Sequence, residues 1–218
     1  KRTNVYIDGF NLYYGAQKSF PDCKWLNLLL LCRNLLPGND IQVIKYFTAR
    51  VKALPSDLDA PKRQDTYFRA LSTVPEIEIH EGFFQTKKRM MPVVMPEEQE
   101  TPSFQGKRKF KEVWDTKEKG SDVNLATHLI ADAFMDKFDV GVVISNDSDL
   151  VRPIHFARKL AKKRIGVFKT QGNRGREIMK FASFSKTITR QDLLNAQFQN
   201  PLTDPKTGRE IHKPLSWN

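Results

Sequence analysis

Four aspartates stand where a strand ends or a helix begins. Asp8 follows the apolar stretch Asn4 to Ile7. Asp122 lies in the first turn of a helical pattern that starts near Ser121. Asp147 and Asp149 directly follow the β-branched run Val140 to Ile144. If the first and central strands are neighbours, all four side chains can converge on one rim of a sheet. Two carboxylates about 4 Å apart repel by roughly 4 kcal/mol at an effective dielectric near 20, so a cluster of four would take up protons or bind cations. With no His or Cys alongside, such hard oxygen ligands suit Mg²⁺ or Mn²⁺ rather than zinc. Each acid also has an ordinary explanation. Asp8, before Gly9, could cap a turn; Asp122 is favoured at a helix N-terminus by the macrodipole; Asp149 could be the N-cap of the next helix. Asp-x-Asp alone is a weak signal, and the weight lies in the four positions together.

The elements that must position these acids are legible in outline. The run Val140 to Ile144 reads as a short strand buried on both faces, as in the middle of a parallel sheet. Open α/β sheets bind ligands outside the carboxyl ends of their strands, where Asp147 and Asp149 fall. Further strands are expected at Asn4 to Ile7, Ile41 to Ala49, Ile77 to Phe84 (nearer an edge), Arg164 to Lys169 and Lys186 to Thr189. Helical patterns cover Trp25 to Leu36, ending at Pro37-Gly38, Pro61 to Leu71, Val123 to Met135 and Ile154 to Lys163. Strands alternating with helices imply an α/β, three-layer fold with a mainly parallel central sheet flanked by helices. Between Gln85 and Gly120 the pattern breaks down into basic clusters around a Pro- and Glu-rich segment, which points to a hairpin insertion or a functional arm. The expected organisation is one domain over residues 1–190, with that basic insertion at about 85–119, and a C-terminal tail over 191–218 packed on it through Trp217.

Composition narrows the partners. The 218 residues carry a formal net charge of +11, an excess that favours polyanions, nucleic acid before anionic membrane. Cys23 and Cys32 form no metal-ligand pattern and read as reduced, packed thiols. The longest apolar run, Leu28 to Cys32, is far too short to cross a bilayer, and no signal peptide is visible. The expected setting is cytoplasmic, with no membrane association.

Three segments then carry a resemblance. Ile7-Asp8-Gly9-Phe10-Asn11-Leu12, Lys119-Gly120-Ser121-Asp122-Val123-Asn124-Leu125-Ala126 and Val143-Ile144-Ser145-Asn146-Asp147-Ser148-Asp149-Leu150 resemble, in order, the signature blocks of NYN-domain proteins, a branch of the PIN-like nuclease superfamily. The resemblance implies a metal-dependent ribonuclease with a PIN-like sheet. It makes Asp8, Asp122, Asp147 and Asp149 the metal-binding acids and Asn11 a polar residue beside the first. Many relatives carry a further Asp six residues after the helix-start acid. Here that position is His128, about 9 Å further along the helix, which leaves one or two metals as the open count.

The expected reaction is hydrolysis of RNA phosphodiesters by metal-activated water, since no Ser-His or Cys-His pair points to a covalent route. Substrate contacts are expected from Asn11, Lys119, Asn146, His128, Lys109, Arg174 and Arg176. Lys87, Lys88 and Arg89 supply further charge, and Phe110 and Trp114 supply faces for unpaired bases. RNA, single-stranded, is the expected partner, with a homodimer as an open possibility. The alternatives are a non-catalytic RNA-binding or regulatory module of the same shape and a DNA nuclease with the same metal chemistry. A haloacid-dehalogenase-type phosphatase would need an acid where Phe10 stands.

Overall fold

The structure is a computed structural model that describes residues 1–93, 110–170 and 175–217. Its centre is β1 (Arg2–Asp8), whose Val5 and Ile7 enter one hydrophobic core while Tyr6 enters the other. That two-faced burial is what an alternating side-chain direction produces when both faces are covered. On one side β1 pairs in parallel with β2 (Asp40–Ala49), and β2 with β3 (Ile77–Pro92). On the other side it pairs in parallel with β5 (Val140–Ile144), followed by β6 (Arg164–Lys169) and β7 (Phe184–Thr187). With β4 (Phe110–Lys119) antiparallel on β3, the seven-stranded order is β4-β3-β2-β1-β5-β6-β7.

Helices cover both faces. The core that receives Val5, Ile7, Val142 and Ile144 also contains Leu12 of α1 (Gly9–Gly15), Leu28 and Leu31 of α2 (Leu28–Leu35), Tyr67, Phe68 and Leu71 of α3 (Ala60–Leu71) and Leu193 of α7 (Arg190–Leu194). The opposite core contains Leu125 and Leu129 of α4 (Ser121–Phe134), Ile154 and Ala157 of α5 (Val151–Lys159) and Ile178 of α6 (Arg176–Lys180). The chain therefore leaves β1 toward one face and β5 toward the other. This divergence opens a crevice at the carboxyl ends of two adjacent strands, the switch point at which doubly wound sheets bind ligands.

Several boundaries depart from the sequence reading. The helical pattern from Trp25 becomes helix only at Leu28, because the Asn27 side chain accepts from the Leu30 amide at 3.1 Å and caps it there. Trp25 instead packs against Tyr67, Phe198 and Trp217, and Trp217 is 8% exposed. The helix expected at Ile154 to Lys163 starts at Val151 and ends at Lys159, and Lys162 has a left-handed φ of 57°. β3 lies near an edge, as expected, but extends further than the sequence reading. It runs on to Pro92 and forms a hairpin with β4, which is the edge. The distal hairpin is exposed on both faces, so no apolar alternation marks it. Its register is supported by cross-strand polar pairs, Thr86–Thr116 at 3.0 Å and Lys88–Glu112 at 2.9 Å. Among the described residues no helix is long and apolar enough to cross a membrane. Cys23 and Cys32 are buried and free, and burial pushes their thiols up to about 11 and about 12.

Candidate active site

The register Ile7↔Ile144 brings Asp8 and the Ser145–Asp149 turn to the same end of the sheet. Asp8 is 2% exposed and caps α1, accepting from the Asn11 amide at 2.9 Å. Its other oxygen accepts from Asn11 Nδ2 at 2.6 Å and from Ser145 Oγ at 3.0 Å. The turn after β1 closes tightly at Gly9. A Cβ there would stand 2.7 Å from Tyr46 Cζ and 2.8 Å from the Phe47 carbonyl oxygen, so only glycine lets α1 start against β2.

The second strand end is tied to the first. Asp147 donates its amide to Ser145 Oγ at 3.0 Å, and its carboxylate accepts from the Asp149 amide at 2.9 Å. Asp147 therefore caps the short 3₁₀ turn Ser148–Leu150; the ordinary alternative for Asp149, the N-cap of the next helix, does not hold, since Leu150 has that place and the Asp149 side chain is exposed. The third segment arrives through Gly120, whose φ of 100° is a left-handed conformation suited to glycine. That turn takes the chain from β4 into α4, with Asp122 in its first turn.

The acids lie near enough to affect one another's charge. Burial, and then the charges of Asp8, Asp147, Glu118 and Asp149, push Asp122 up to about 6. Asp8 is also raised, by burial first and by Asp147 among the rest, while its three hydrogen bonds from Asn11 and Ser145 hold it down. In both, burial is the larger cause and the neighbouring like charge adds to it. Asp8 and Asp122, but not Asp147 or Asp149, open on a cleft of about 260 Å³ whose other walls are Phe10, Asn11, Tyr14, Phe84 and Glu118. Glu118 was not singled out in the sequence, where it reads as part of the alternating charges Lys117-Glu118-Lys119. It accepts from the Ser121 amide at 3.1 Å and from Ser121 Oγ at 2.8 Å, which fixes the start of α4. Ser145 was likewise silent in the sequence, since nothing local announces that its hydroxyl will bridge Asp8 and Asp147.

The remaining expected contacts divide. Asn11 is at the cleft, but it braces the site: it holds Asp8 and accepts from the Asn146 amide at 3.2 Å. Asn146 is also committed to the scaffold, with its Nδ2 on Thr170 Oγ1 at 2.5 Å and its Oδ1 accepting from the Thr170 amide at 3.1 Å. Lys119 is exposed at the end of β4, three residues before Asp122. Arg176 opens α6, which follows β6. His128 is not brought to the acids. It sits on Lys45 Nζ at 3.2 Å and against the His80 ring at 4.4 Å. There burial, Lys45 and His80 lower its pKa. Lys45 in turn forms a buried pair with Asp132 at 2.6 Å, and Asp132 also accepts from the Tyr6 hydroxyl at 2.9 Å. Lys109 and Arg174 lie outside the described residues. Much of the hairpin's basic charge is locally paired, Lys88 with Glu112, and Arg89 and Lys117 with Asp115. Trp114 is 68% exposed, with Lys88 Nζ 5.4 Å from its ring centroid.

Residues 2–186 match the NYN domain, a span that contains all four acids and both core faces. The chain belongs to the NYN-domain family. NYN domains form a PIN-like nuclease family, so the coarse class is that of a nuclease-related fold. Among curated relatives, the chain is 32% identical to 6-hydroxy-3-succinoylpyridine 3-monooxygenase HspA of Pseudomonas putida, covering 99% of this chain and 75% of that protein. Among solved structures, a protein of unknown function from Vibrio parahaemolyticus shares the fold with a TM-score of 0.54. Its sequence identity is 12%, with 91% of this chain and 96% of that one covered.

The donor set of this NYN domain is compatible with a hard divalent cation. It consists of carboxylate oxygens, and burial followed by the charges of the neighbouring acids pushes Asp122 up to about 6. Among the described residues no three His, Cys, Asp or Glu side chains form a ready-made metal cage. A cation held here would keep part of its water shell, which is the habit of Mg²⁺.

Proposed function

We propose that this NYN domain is a Mg²⁺- or Mn²⁺-dependent endoribonuclease acting on single-stranded RNA. What supports the reading is the carboxylate set at the carboxyl ends of β1 and β5, with Asp8 and Asp122 lining one cleft and the Ser145 hydroxyl joining Asp8 to the Asp147 amide, in a chain whose net charge is +11. Asp8, Asp147 and Asp149 would hold the cation, with Asp122 direct or through water. When bound, the cation supplies charge for the scissile phosphate and lowers the pKa of a water. The protein's own groups do the rest. Asn11 and Ser145 fix the Asp8 carboxylate, so that no reorganisation is needed on binding. Asp122, pushed up to about 6 by burial and the neighbouring acids, would accept the proton of the attacking water. Lys119 is the cation best placed to meet a phosphate, and attack in line would leave a 5′-phosphate and a 3′-hydroxyl. The experiment is incubation of purified protein with labelled single-stranded RNA, duplex RNA and DNA, each with Mg²⁺, Mn²⁺ or chelator. RNA cleavage lost in chelator and in Asp147→Asn supports the reading; undiminished cleavage by Asp147→Asn removes it.

A second reading has one observation in its favour. The relative named as a succinoylpyridine monooxygenase aligns with 99% of this chain. Oxygenation of a small aromatic acid would need O₂ and a two-electron reductant. Oxygen uptake that depends on both a pyridine acid and a reductant, with RNA left intact, would favour it over phosphodiester hydrolysis.

A further inference from the structure

A second, larger cavity lies beside the acidic cleft and shares two of its walls, Phe10 and Tyr14. Its volume is about 520 Å³, within the range of roughly 300–1,000 Å³ that holds small organic ligands. The lining is strongly aromatic. Tyr13 and Tyr14 come from α1, Tyr46 from β2, Tyr67 and Phe68 from α3, and Trp217 from the C-terminal segment. Three of these rings are rigidly placed. Tyr67 donates its hydroxyl to the Leu26 carbonyl at 2.8 Å, Trp217 packs edge-on to Tyr67 at 6.0 Å, and Tyr46 is held against Gly9. Such walls offer flat apolar faces at little conformational cost.

The mouth is cationic. Lys24, Lys52 and Arg63 face it with a single acid, Asp57, and Asp57 is ion-paired to Arg63. Lys24 and Lys52 have no ion-pair partner among the described residues. Lys24 stands with Nζ 5.7 Å from the Tyr13 ring centroid, and burial followed by repulsion from Arg63 lowers its pKa. An incoming anion would relieve that repulsion. Aromatic walls with unpaired cations at the rim make a site for a ring that carries negative charge.

We propose that this cavity binds a planar aromatic ring bearing one anionic group, the ring against Tyr13, Tyr67 and Trp217 and the anion at Lys24 and Lys52. This site does not depend on the cleavage reading, because none of the four aspartates lines it. Two sources carry that chemistry, a nucleotide and a free aromatic carboxylate.

The test is calorimetric titration of the full chain with adenosine monophosphate, uridine monophosphate, pyridine-3-carboxylate, neutral adenosine and inorganic phosphate. At least one ring-bearing anion should bind about ten-fold or more tighter than neutral adenosine and inorganic phosphate, the usual scale for a charge-assisted contact. Lys52→Ala and Lys24→Ala should each weaken that binding by about the same factor, and Tyr13→Ala should weaken adenosine and its monophosphate alike. Thermal melting of each variant verifies folding. Binding of nucleotides alone assigns the site to a nucleic-acid base, and binding of the pyridine acid alone assigns it to a free metabolite. No binding by any ring anion, or binding unchanged in the Lys24→Ala/Lys52→Ala double variant, would overturn the proposal. Asp122→Asn should leave this affinity unchanged while it removes divalent-cation binding, so loss of one site is readable apart from loss of the other.

Discussion

Asp122→Asn should make the protein more stable at neutral pH. Burial and four carboxylates raise Asp122 from 3.8 to about 6. At about 1.36 kcal/mol per pKa unit, that difference is worth about 3 kcal/mol at face value. The side chain stands at an open rim, and solvent screening reduces the figure to roughly 1–1.5 kcal/mol. For a chain of this length that is a rise in Tm of roughly 2–6 °C. The sign follows from linkage. A carboxyl with a raised folded pKa carries no penalty below its unfolded value near 3.8. Stability is then lost as pH climbs to about 6, and the loss is constant above that. The gain from Asp122→Asn should therefore be full at pH 7.5 and shrink as pH falls toward 4. Melting curves in chelator at both pH values measure this. Adding Mn²⁺ at pH 7.5 should reverse the order, stabilising the parent by mass action and leaving Asp122→Asn unmoved. A variant no more stable than the parent at pH 7.5, or one whose advantage is the same at pH 4, would show that the acids do not repel one another at this rim. The whole account of the site would then fail.

Three further outcomes follow from other contacts. Lys45→Met leaves the Asp132 carboxylate, whose side chain is 7% exposed, with only the Tyr6 hydroxyl. Urea denaturation should show a loss of about 3–5 kcal/mol, partly recovered in Lys45→Met/Asp132→Leu. Gly9→Ala forces a Cβ to within 2.8 Å of the Phe47 carbonyl oxygen and should cost about 1–3 kcal/mol; the accompanying shift of Asp8 should weaken Mn²⁺ binding in calorimetry. Lys119→Ala should lower RNA affinity and make the slope of log affinity against log salt shallower by about 1, and a slope equal to the parent's would take Lys119 off the phosphate.

How much was legible follows from which interactions are local. The strand Val140 to Ile144 could be read because a strand buried on both faces must be apolar at every position. Asp8, Asp147 and Asp149 could be read because strand ends are where polar residues return. A hairpin after Gln85 is one of two readings the sequence admits, but its strand bounds and register could not be read, because β3 beyond Phe84 and β4 are held by main-chain bonds and charge pairs that leave no hydrophobic period. The basic clusters looked like a surface for RNA, yet their nearest acids lie across the hairpin, and pairing is visible only once the register is set. His128 seemed aligned with Asp122 along one helix. Two turns of rise instead carry it to Lys45 and His80, on strands far off in sequence.

By itself the sequence determined the α/β pattern, the positive charge and the family, and it named the candidate acids, since each of these is written in neighbouring residues. Tertiary structure decided that Glu118 joins the acids, that Ser145 and Asn11 brace Asp8, and that Trp217 returns to close an aromatic cavity beside them. The Ser145–Asp8 hydrogen bond joins residues 137 positions apart, and the Trp25–Trp217 contact joins residues further apart still. Such contacts form only when the sheet has fixed its strand order, and no local pattern of residue types can encode them.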